Sequence, residues 1–162
     1  MDWDIVEQIL GQILAFEEPD GGHVFDVPAV PDEPSEEDVR RATERLIALE
    51  SVAATIPDKL RALDDLTSTL TLRFNMSAAE MEQYEAVEAG WSMARSLRDA
   101  WLDYQQLVMQ QIGHWQAAVA VMEHDIAWQQ TALALRSASF RRPHPAAALT
   151  VATESWRRCT LS

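Results

Sequence analysis

The chain has 162 residues, 48% hydrophobic and 24% charged, with a formal net charge of −13 and one cysteine. That is enough chain to bury a core without metals or disulfides, and too ordinary a composition for whole-chain disorder. It is also too acidic for general nucleic-acid binding, which depends on neutralising phosphates with Lys and Arg.

No run approaches the roughly 18 consecutive apolar residues of a membrane span. The opening Met1-Asp2-Trp3-Asp4 is acidic where a signal or transit peptide is basic, so a cytoplasmic location is expected. Arg outnumbers Lys 12 to 1 and Ala is abundant, the usage of a GC-rich bacterial or phage genome. The charge is uneven. Residues 1–50 carry 14 acids and 3 bases, whereas residues 136–162 carry 1 acid and 5 bases.

Residues 1–17 predict an amphipathic helix. Trp3, Val6, Leu10 and Ile13 recur at threes and fours, widened by Ile5 and Ile9. Gly11 inside it costs roughly 1 kcal/mol against Ala, so this helix needs a neighbour. Residues 18–34 hold four of the seven prolines, two glycines and five acids. They read as an acidic linker or an extended piece laid over the helices. Within it His23-Val24-Phe25-Asp26-Val27 alternates like a short strand.

Residues 35–137 predict a long antiparallel helical hairpin, coiled-coil-like, in an all-α fold. Ser35 is a good N-cap, with Glu36, Glu37 and Asp38 in the first turn where the helix dipole favours acids. An apolar stripe then runs from Val39 through Leu49, Ile56 and Leu63 to Phe74. It keeps its phase across Pro57, where the helix either kinks or restarts. Ser77 and Glu80 suggest a capping box opening the second arm. From there to about Ser137 no proline interrupts a seam that includes Tyr84, Val87, Trp91, Trp101, Val108, Trp115, Met122 and Leu133. Gly90 and Gly113 are the places for a bend. The basic tail, 138–162, contains Pro143 and Pro145 and then a stretch with Leu149, Ala152 and Trp156 spaced for one helical face.

Opposite the main seam, the long arm changes character along its length. Its first half presents Glu88, Ser92, Ser96, Asp99, Asp103, Gln106 and Gln110; its second half presents Ala117, Val121, Trp128, Ala132 and Leu135. A helix apolar on two sides lies between layers. The first arm is expected to run out near residue 116, so Trp115, Ala117, Val121, Trp128, Ala132 and Leu135 form the candidate protein interface. Their cover would be the N-terminal helix, the tail, a second copy or a partner protein.

Other chemistry fails on spacing. His114 and His124 are ten residues apart, about 15 Å along a helix, and cannot share an ion. Neither completes a Glu-x-x-His pair, and no Cys-x-x-Cys-His haem attachment exists. Cys159 beside Arg157 and Arg158 is a free thiol at a terminus rather than an enclosed nucleophile. Asp99 and Asp103 fall on the polar back face, and Gly21-Gly22 sits in an acidic stretch that repels phosphate. Arg141, Arg142, Arg157 and Arg158 are candidate basic contacts, most simply for the acidic first fifty residues.

The expected function is therefore non-enzymatic, without cofactor, metal or small-molecule substrate. It is that of a helical adaptor, accessory factor or assembly subunit that binds itself or a protein partner through the late long helix. The alternative is an acidic inhibitor or nucleic-acid mimic occupying a basic groove. The acidic charge argues against anionic membranes as partners.

Overall fold

The computed structural model describes residues 2–20 and 26–140, which form three α-helices, one 3₁₀ turn and, among the described residues, no strand. Helix α1 spans Trp3–Leu14, α2 Glu36–Arg73 and α3 Met81–Phe140, with the 3₁₀ turn at Met76–Ala78. The all-α helical hairpin is thus formed by α2 and α3. At 1.5 Å per residue α2 is about 57 Å long and α3 about 90 Å.

The hairpin seam follows a seven-residue period. On α2 the buried residues are Ala42, Leu49, Ile56, Leu63 and Leu70; on α3 Val87, Ala94, Trp101 and Val108 repeat at the same interval. That repeat is the period at which two helices keep one seam in contact over many turns. Helix α2 continues unbroken through Pro57, and α3 through Gly90 and Gly113.

The cap that opens α2 forms as expected, whereas the one expected to open α3 does not. Ser35 and Asp38 do form a reciprocal capping box at the start of α2. The Ser77–Glu80 box does not form. The Asn75 side chain instead accepts from the Ser77 N–H, and Gln83 accepts the Glu80 N–H at 3.1 Å, so α3 starts at Met81. Asn75 reaches the orphan donor two residues on, and that turns Met76–Ala78 into a 3₁₀ bridge before the helix can begin.

Helix α1 lies across the turn half of the hairpin, burying Val6, Ile9 and Ile13. Leu10 reaches Gly90, where an added Cβ would stand 2.3 Å from its Cδ2. Farther along, Glu17 meets Lys59 at 2.5 Å and its carbonyl accepts the Trp101 indole N–H at 2.9 Å. Helix α1 therefore runs parallel to α3. The described residues taper from three helices to two and then to one, and among them the far end of α3 is thinly covered.

Two glycines have no such packing reason. A Cβ at Gly11 or Gly113 would meet nothing within 4 Å. Gly11→Ala and Gly113→Ala should each raise the unfolding free energy by about 1 kcal/mol through helix propensity alone. Urea denaturation checks this, and an unmoved midpoint would mean the helix is not formed at that position.

Candidate interaction surface on the long helix

The extent of the surface depends on the hairpin register. Asp64 pairs with Arg98 at 3.0 Å, and the Leu70 side chain stands 3.7 Å from a Cβ built at Gly90. Phe74 packs edge-on against Trp91, with ring centroids 5.9 Å apart. Carried to the open end, this register sets Glu36 level with about residue 125. A groove of about 230 Å³ bears it out, lined by Glu36 and Val39 from α2 and by Glu123, Ile126, Ala127 and Gln130 from α3. The first arm thus reaches some two and a half turns beyond residue 116. The gain comes from the connector, which lies beside the first turns of α3 instead of reversing tightly.

Beyond that groove α3 stands alone among the described residues, and its back face is already bare alongside the end of α2: Val121 is 49% exposed, Trp128 66%, Leu133 62% and Leu135 63%. Ala117 is exposed beside them and Ala132 half-buried. The structure therefore brings together Ala117, Val121, Trp128, Ala132 and Leu135 on one side of the helix. Trp115 stands apart from them: it belongs to the main seam and packs half-buried against the core. It also lines a cleft of about 190 Å³ with Pro28, Ala29, Pro31, Arg41 and Met122, where the extended segment before α2 lies over the hairpin. Arg141, Arg142, Arg157 and Arg158 lie outside the described residues, as does the strand-like His23-Val24-Phe25.

Helix α1 does not cover this surface. Its apolar face is spent at the other end of the hairpin, on Leu70, Gly90 and their neighbours. Leu133 is the exposed residue the sequence had assigned to a packed seam. The signal that it lacks a partner is the length difference between α2 and α3, read in the observed register.

Charge around the open end is locally balanced. Glu37 meets Arg40 at 2.5 Å and Arg41 at 3.0 Å, while Arg40 also contacts Glu44. Hydrogen bonding to the Arg40 guanidinium holds the Glu37 carboxyl down at about 2. Asp38 is lowered by the backbone N–H of Ser35. Among the described residues, three side-chain polar atoms are buried without a partner: the indole nitrogens of Trp91 and Trp115, and Gln111 Oε1. All three lie on α3 on the hairpin side of residue 116, away from the bare end.

Among the described residues no group of three or more His, Cys, Asp or Glu could hold a metal ion, and no helix is long and apolar enough to cross a membrane. His114 and His124 are both exposed, and His124 Nδ1 lies 3.8 Å from Asp125 Oδ1. No known protein family, curated protein or solved structure matches the chain.

Proposed function

We propose that the protein is a non-enzymatic helical interaction protein, an adaptor, accessory factor or small assembly subunit, whose working surface is the late part of α3. The observation that carries this reading is the row Val121, Trp128 and Leu135. Its members are 49%, 66% and 63% exposed, on a helix that outruns its hairpin partner. Isolated exposed apolar residues mean little, but a contiguous row that includes a Trp marks an interaction site. Trp and other large rigid side chains dominate interface energetics once desolvated. The acidic-mimic reading has less support, because in the densest acid cluster, Glu36 to Asp38, Asp38 caps α2 and Glu37 pairs with Arg40 and Arg41.

The test is Trp128→Glu, read two ways. In dilute solution the substitution should change the unfolding free energy by no more than about 0.5 kcal/mol, as for an exposed site away from the core. It should also abolish association through this surface. A stability loss of about 2 kcal/mol or more, the scale of an emptied core site, would show that the chain buries Trp128 itself and would overturn the proposal.

A further inference from the structure

We infer that the occupant of the late α3 surface is a second copy of this chain, laid antiparallel about a point between Gln130 and Thr131. The inference rests on the reading just proposed. It adds the partner, the direction and the register.

Val121, Trp128 and Leu135 are spaced by seven, and His124 and Thr131 fall between them at the complementary three- and four-residue steps; all five are exposed. That is the seam pattern of a paired helix, with large residues at one position and small or polar ones at the other. An acidic chain repels its own copies wherever its charges are dense. Between Gly113 and Ser139, however, Glu123, Asp125 and Arg136 are the only residues with formal charge. On α3 itself, the bare seam is therefore sparsely charged for a −13 protein, with Glu36 of α2 bordering it only at the Ala127 edge.

Direction and register follow from what flanks the seam. Asp125 and Arg136 are eleven residues apart, about three turns, and so share one flank. Ala127 and Ala134 occupy the other flank. In an antiparallel pair each flank meets the same flank of the other copy. Centred between residues 130 and 131, the pairing sets Asp125 level with Arg136 of the second copy, twice by symmetry. It sets Ala127 level with Ala134 of the second copy, which lets the backbones approach. Trp128 then enters between Thr131 and Leu135 of the second copy. A parallel pairing would face each of these charges with the alanine flank and satisfy neither. A seam about six turns long gives an interface at the small end of the stable range, so association should be concentration-dependent in the micromolar regime.

The experiment is sedimentation equilibrium on the full chain across micromolar concentrations, with Asp125→Arg, Arg136→Asp, the double exchange and Trp128→Glu. Wild type should be a reversible dimer, and Trp128→Glu a monomer. Each single reversal replaces two attractions by two repulsions and should weaken the dimer by about tenfold. Asp125→Arg does so while making the chain less negative, opposite to a general charge effect. Mixing the two single variants, or combining them in one chain, should restore dimerisation. A dimer indifferent to the reversals and to Trp128→Glu would overturn the inference, since the copies would then meet elsewhere. A wild-type monomer whose Trp128→Glu variant keeps full stability would overturn it too, but would leave the interaction reading standing with another protein as partner. A monomer destabilised by Trp128→Glu would sink both, with residues 141–162 as the occupant to examine.

Discussion

Trp101→Ala should lower the unfolding free energy by roughly 3–5 kcal/mol, the range for emptying a large aromatic site in a core. Trp101 is 5% exposed on α3 and serves three elements at once. Its indole N–H donates to the Glu17 carbonyl at 2.9 Å, which fixes the chain leaving α1. Its ring meets Tyr104 edge-on at 5.8 Å, and Lys59 Nζ from α2 lies 5.9 Å from its centroid. The same ammonium is held at 2.5 Å by the Glu17 carboxylate. Loss of the ring therefore removes packing, a hydrogen bond and the platform under an ion pair together. Trp101→Phe should cost much less, on the order of 1 kcal/mol for the lost hydrogen bond plus the reduced ring area. Helix α1 is short, contains Gly11 and is marginal alone. Its amides should lose hydrogen-exchange protection before those of α2 and α3, and equal loss in all three helices would refute the clasp. Trp128 lies about 40 Å along α3 from Trp101. Association through the late helix should survive wherever the hairpin itself remains folded.

What could be read from residues alone was whatever depends on period. The stripes on α1, α2 and α3, the Ser35 cap, and the change of the α3 back face from Glu88–Gln110 to Val121–Leu135 all follow from spacing, and the structure shows each. What escaped depends on tertiary contact. Spacing puts the end of the first arm near residue 116 and the structure puts it near 125, because periodicity fixes which face packs but not how far a connector reaches. Trp115 falls within the longer reach of α2 and so packs in the seam instead of joining the bare patch. The seat of α1 is set by a missing Cβ at Gly90 that Leu10 fills, a fit no single helix pattern reveals. For the candidate surface, period showed which side of α3 is apolar. Only the register showed that nothing among the described residues covers it.

Pro57→Ala should stabilise the protein by about 2 kcal/mol, an uncommon outcome for a substitution in the middle of a hairpin. Proline in a helix interior removes one backbone hydrogen bond and presses its ring on the carbonyl four residues back; the helix-forming deficit against Ala is about 3 kcal/mol. Here that carbonyl belongs to Ala53, which is half-buried. Part of the gain is offset because proline also restricts the unfolded chain, by about 0.4–1 kcal/mol. Pro57 itself is exposed, and its neighbour Ile56 is fully buried in the seam. The substitution therefore changes the backbone without disturbing the core. The helix tolerates the proline because Leu49, Ile56 and Leu63 hold the seam on both sides of it. The fault line falls just on the open side of the Lys59 and Trp101 contacts that bind α1, separating the clasped half of the hairpin from the half that carries the bare helix. A urea midpoint raised by Pro57→Ala, with stronger exchange protection at residues 53–60, would locate the weakest section of α2 there. A midpoint unchanged or lowered would mean that α2 bends at Pro57 to keep its seam, and that straightening it costs as much packing as the restored hydrogen bond returns.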